Sequence, residues 1–147
     1  MTLDGDLQND PADIPRLLAP LERADVVNGV RQERRDGLVR KLSSRVGNGF
    51  RNLVTRESVT DVGCSLRALR TAYAKRVKLF RGMHRFLPTL LRLEGATVTE
   101  IPVRHRPRRH GSSKYGIGNR AFVGFVDVLA VRWMQSRVRR HQVREGE

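Results

Sequence analysis

Two short stretches, ADVVNGVR (24–31) and ATVTEIPV (96–103), read as strands, the first a buried run and the second alternating. The residues around and between them repeat their apolar positions at helical spacing, and this switching of period is the feature that most constrains the fold. Strands interleaved with helices predict an α/β layered structure with a mostly parallel sheet. Asp10 and Pro11 read as the N-cap and first position of a helix carrying Ile14, Leu17, Leu18 and Leu21, with Asp13 favourable in its first turn. A longer helix is expected from about Asp36 to Val54, with Leu38, Val39, Leu42, Val46, Phe50 and Leu53 on one face and Gly47 and Gly49 weakening it. TDVGCSLRALR (60–70) reads as a turn entering a helix, and MHRFLPTLLRLEG (83–95) as a helix ended by Gly95.

Charge says what kind of partner such a layer would meet. The 147 residues carry a formal charge of +14, which suits an anionic partner such as nucleic acid, an acidic membrane surface or phosphorylated small molecules. The first 25 residues run the other way, with six acids against Arg16 and Arg23. An acidic segment therefore faces a basic body. Cys64 is the sole cysteine and cannot form an internal disulfide. No apolar run approaches the roughly 18 to 20 residues that span a bilayer, and no signal peptide is evident.

The acids of TLDGDLQNDP (2–11) have a spacing that chemistry can use. Ligands of open α/β sheets collect at the carboxyl ends of strands, and Asp4, Asp6 and Gln8 on a turn there could share one hard divalent cation, Mg²⁺ or Mn²⁺, while a diphosphate fills its open positions. The alternative reading makes Asp10 and Asp13 helix-capping residues and the other acids solvated loop residues. Far downstream, VRHRPRRHGSSKYG (103–116) sets Arg104, Arg106, Arg108, Arg109 and Lys114 around a Gly-Ser-Ser loop, a pattern that can close over phosphate oxygens or serve as a solvated basic linker.

Taken in order, LDGDLQNDP, VVNGVRQERRD, TDVGCSLRALR, HRFLP and VRHRPRRHGSSKYG resemble the family 2 glycosyltransferases of GT-A fold that act on polyprenyl phosphates, the dolichyl-phosphate mannose synthase-like group. The resemblance runs from Thr2 to about Trp133. It implies that Asp4, Asp6 and Gln8 hold the metal on the diphosphate of a nucleotide-sugar donor. By the same resemblance Arg106, Arg108, Ser113 and Lys114 bind phosphates, Arg31 lies near the acceptor phosphate, and Asp61 lines the sugar and acceptor side. Asp61 also reads as an N-cap for a helix beginning near Ser65. His84 and Arg85 would face the sugar by the resemblance, while the residues themselves read equally as capping or surface positions, and Cys64 has no His partner for nucleophilic chemistry.

The resemblance further implies a partial GT-A (Rossmann-like) layered fold. Residues 1–118 would be the catalytic portion from the D-x-D to the basic loop, and 119–147 an amphipathic helix with a basic tail. Family members carry a nucleotide-binding half before the D-x-D strand, so the chain is expected to be a carboxyl-terminal portion, inactive alone, with a separate chain supplying the amino-terminal half as one way to complete it. The expected reaction is inverting, metal-dependent transfer of a sugar to a polyprenyl phosphate. The acceptor phosphate is already an anion, so no strong base is required and Asp61 is expected to orient rather than deprotonate. In the tail, residues 121–131 are apolar except for Asp127, and Trp133 with Arg132, Arg137, Arg139, Arg140 and Arg144 follows. Such a helix can lie in the headgroup layer of an anionic membrane, giving a cytoplasmic protein peripheral to the inner face, or pack on its own sheet. The rival readings are a basic nucleic-acid-binding module, which lacks aromatic stacking platforms at 5% aromatic content, and a non-catalytic remnant that binds membrane or partners. No nucleic-acid partner is expected.

Overall fold

The computed structural model describes residues 1–32, 38–78, 80, 82–106 and 117–138. A three-stranded sheet is its centre, ordered β2-β1-β3, with β1 at Val26–Arg31, β2 at Arg67–Leu69 and β3 at Val98–Val103. β1 pairs with β3 in parallel, Val26 beside Val98 through Arg31 beside Val103. It pairs with β2 antiparallel, Val26 beside Leu69 and Asn28 beside Arg67. Thr2 extends the outer edge, exchanging backbone hydrogen bonds of 2.9 and 3.0 Å with Arg67.

The sheet is therefore mixed rather than mostly parallel, because Arg67–Leu69 is a strand where a helix was expected. Its side chains alternate as a pleat requires: Leu66 and Ala68 enter one apolar cluster with Leu17, Val27, Cys64 and Val103, while Leu69 packs against the other. Leu66 and Leu69 stand three apart, which imitates helical spacing. No helix begins at Ser65 for Asp61 to cap.

β1 feeds both clusters, Val26 into one and Val27 into the other. On the Val27 side lies α1 (Ile14–Leu18), flanked by 3₁₀ turns at Pro11–Asp13 and Ala19–Glu22. Pro15 and Pro20 keep these pieces short. Asp10 caps the first turn as expected, accepting from the Ala12 N–H at 3.1 Å. After β2 comes the single turn α3 (Thr71–Ala74). On the Val26 side are α4 (Leu87–Leu93) and α5 (Ile117–Arg137), contributing Leu87, Leu90, Leu91, Val128 and Val131. α4 ends as expected at Gly95, whose φ of 96° lets Gly95 and Ala96 donate back to the Arg92 and Leu91 carbonyls.

The remaining helix, α2 (Leu38–Thr55), reverses the usual arrangement. In its second half polar residues face inward beside Val54: Arg51 is 3% exposed, Thr55 is buried, and Arg51 and Asn52 both donate to the Val59 carbonyl at 3.1 Å. Asn48 reaches the Thr60 carbonyl and Gln135 of α5 the Thr55 carbonyl. Leu42, Val46 and Leu53 face outward, Leu53 being 79% exposed. α5 is apolar on both sides, with Phe122, Leu129 and Trp133 outward and Val128 and Val131 inward. Phe50 stacks on Phe125 at 5.6 Å and joins the two outward faces. Among the described residues no helix is long and apolar enough to cross a membrane.

Candidate active site

The carboxyl ends of the parallel strands β1 and β3 meet the amino-terminal acidic segment. Asn9 and His105 form an antiparallel bridge, the Arg106 N–H donates to the Gln8 carbonyl at 2.8 Å, and Gln8 Nε2 donates to the Arg106 carbonyl at 3.3 Å. Within the segment, Asp6 accepts from the Gln8 N–H at 3.2 Å across Leu7. Leu7 has a left-handed φ of 61°, a conformation costing roughly 1–2 kcal/mol for a side chain of this kind. The resulting turn folds Asp4, Asp6 and Gln8 around a pocket of about 30 Å³ that Arg31 and His105 also line.

Ser65 fastens this turn from the β2 side. Its hydroxyl accepts from the Asp4 N–H and from Asn9 Nδ2, both at 3.1 Å. Sequence reading passed over both Ser65 and His105, although each lies inside a stretch singled out for other residues. Gln8 Nε2 stands 3.4 Å from His105 Nε2, so the glutamine amide is oriented by two contacts from the β3 side.

Arg31 and Asp61, expected near the acceptor, are locked to each other. Arg31 Nε and Nη2 lie 2.7 and 2.8 Å from the two carboxylate oxygens of Asp61, a bidentate pair. The Arg31 and Gly63 N–H groups add contacts of 3.2 and 3.1 Å to the same carboxylate. Asp61 is buried and accepts four hydrogen bonds, so its geometry is that of a holder for Arg31, which reaches the pocket wall.

Arg106, expected at phosphate, places Nη2 2.9 Å from Asp10. The Arg104 N–H donates to Asp13 at 2.6 Å. The Ala12 N–H holds the Asp10 carboxyl below the usual carboxylate range, opposed by burial and helped by Arg106. The acidic segment thus anchors the start of the basic loop. Arg108, Ser113 and Lys114 lie outside the described residues.

A larger cavity of about 250 Å³ adjoins the pocket through Asp4, Gly63 and Ser65, and Met83, His84 and Leu87 form its far wall. Arg67 lines it while only 2% exposed. Its guanidinium donates to Asn28 Oδ1 at 2.7 Å, to the Val62 carbonyl at 2.9 Å and to the His84 carbonyl at 3.0 Å. It thereby ties β1, β2 and both cavity walls together. Burial pushes the Cys64 thiol up, which disfavours a nucleophilic thiolate.

Two carboxylates and an amide around one pocket are hard oxygen donors, the set that Mg²⁺ or Mn²⁺ prefers. Among the described residues no three His, Cys, Asp or Glu side chains group to hold an ion by themselves. The donor set fits an ion whose coordination is completed by ligand oxygens.

No protein-family model matches the chain. Curated relatives do. The chain is 41% identical over 150 aligned residues to a dodecaprenyl-phosphate galacturonate synthase of Rhizobium johnstonii, covering 99% of this chain and 43% of that protein. It is 42% identical over 118 residues to an undecaprenyl-phosphate 4-deoxy-4-formamido-L-arabinose transferase of Edwardsiella ictaluri, covering 80% of this chain and 36% of the relative. A Salmonella paratyphi B protein of the same name matches at 41% over 116 residues, covering 78% of this chain and 36% of that protein. The chain spans less than half the length of these relatives. Along that span it is similar in sequence to these polyprenyl-phosphate sugar-transferring proteins.

Proposed function

We propose, on the premise of that similarity, that the chain forms the diphosphate and acceptor side of an inverting glycosyltransferase that moves a sugar from a nucleotide-sugar to a polyprenyl phosphate. The observation that carries this reading is the convergence of Asp4, Asp6, Gln8 and Arg31 on one pocket at the carboxyl ends of β1 and β3. The names of the relatives supply the acceptor class.

Asp4, Asp6 and Gln8 would hold Mg²⁺ or Mn²⁺, which supplies Lewis-acid neutralisation of a diphosphate leaving group. Arg31 orients the acceptor phosphate. Asp61 keeps the guanidinium in place and takes no proton, since a phosphate that is already an anion attacks without a base. Arg106, with Arg108, Ser113 and Lys114 beyond it in sequence, would bind the phosphates, and the Asp10 contact fixes Arg106 at the start of that stretch. The outward apolar faces of α2 and α5, joined by Phe50 and Phe125 and bordered by Arg132 and Arg137, suit the headgroup layer of an anionic membrane at its cytoplasmic face.

Proteolysis tests the reading against its nucleic-acid rival. UDP with Mn²⁺ should protect residues 104–116 from trypsin, whereas duplex DNA should protect them only at low salt. Equal protection by the duplex at physiological salt would contradict the proposal.

A further inference from the structure

We infer that Gly63 is a positioning residue for Arg31, and that the reason is missing volume rather than backbone freedom. Among the described glycines only Gly82 and Gly95 stand at positive φ, so the Gly63 backbone is open to any residue. A Cβ there, however, would lie 2.6 Å from Arg31 Nη2, 3.5 Å from Asp61 Oδ1 and 3.6 Å from Arg31 Cζ. A flexible arginine tip could ordinarily swing aside. Here it cannot move alone, because Nε and Nη2 are fixed at 2.7 and 2.8 Å on Asp61 and the Gly63 N–H holds the same carboxylate at 3.1 Å. One methyl group therefore breaks the bidentate geometry and turns the guanidinium away from the pocket, whose wall Gly63 and Arg31 share.

This inference rests on the proposed role of Arg31 at the acceptor phosphate, and the experiment separates the two. The affinity of the chain for farnesyl phosphate is measured by calorimetry in detergent for wild type, Gly63→Ala, Arg31→Ala and the double variant. Gly63→Ala should weaken binding about tenfold, the size of a lost hydrogen bond to a charged group, and should add nothing in the Arg31→Ala background. Wild-type affinity in Gly63→Ala, or a double variant weaker than Arg31→Ala, would overturn the inference while leaving the role of Arg31 intact. An unchanged Arg31→Ala would remove both. Thermal unfolding keeps the test decisive if Gly63→Ala folds poorly: Arg31→Lys has no atom at the Nη2 position, so Gly63→Ala/Arg31→Lys should melt with Arg31→Lys. A double variant that melts far below it would place the fault elsewhere.

Discussion

Arg51 offers a test of the reversed helix α2. Replacing it with methionine removes a buried cation, and the expected result is a more stable protein. Burial pushes the Arg51 guanidinium down to about 10, and a displacement of that size from the ordinary arginine value corresponds to about 3 kcal/mol of disfavour for the charged form at neutral pH. Against this stand two contacts, to the Val59 carbonyl and to Asn52, together worth about 3 kcal/mol at the upper end for a charged donor. Among the described residues Arg51 Nε and Nη1 find no hydrogen-bond partner. The Val59 carbonyl keeps its bond from Asn52 Nδ2 after the change, so no buried acceptor is orphaned. The buried arginine stem already contributes its own methylenes, so methionine adds only about 1 kcal/mol of apolar burial beyond it, and the net gain should be about 1 kcal/mol. Urea unfolding at pH 7 measures it, with the variant's midpoint above wild type at unchanged slope. A loss of 2 kcal/mol or more would show that Arg51 holds α2 in place and would refute the reasoning.

The outward faces should behave oppositely. Phe122, Leu53 and Trp133 changed together to Ser should lower co-sedimentation with anionic vesicles by more than about tenfold while barely moving the melting temperature, since all three are exposed; retained binding would remove the membrane face. Asp10→Asn should lower the melting temperature at pH 7. Its native carboxyl is held below the usual value by the Ala12 N–H and Arg106, so its stabilisation is present above the unfolded value near 4 and fades as pH falls through the native one. The gap between wild type and variant should accordingly shrink below about pH 4, and a gap independent of pH would contradict the assignment.

What the sequence made legible was local. The β-branched run at Val26–Val30, the alternation of Val98–Val103, the Asp10 cap and the Gly95 stop each follow from neighbours within a few positions, and each was found where expected. β2 was missed because three residues leave little room for a period to show, and Arg67 within it looks like one more surface cation. A helical stripe tells which residues share a face and not which way that face turns, so the reversal of α2 was invisible until the Val59 and Thr60 carbonyls lay beneath it. At the site, the motifs named Asp4, Asp6, Gln8, Arg31 and Asp61. The pairing of Arg31 with Asp61 spans 30 positions and that of Gln8 with Arg106 spans 98, so only the folded chain brings them together. Ser65, His105 and Gly63 carry no pattern of their own; their roles arise from those long-range contacts.

The central claim is that Asp4, Asp6 and Gln8 form the metal-dependent diphosphate site, and calorimetric titration of pyrophosphate into the chain with and without Mn²⁺ addresses it most directly. Binding should require Mn²⁺ and should weaken at least about tenfold in Asp6→Ala, the scale of losing a charged ligand. Equal affinity without the ion, or an unchanged affinity in both Asp4→Ala and Asp6→Ala, would contradict it.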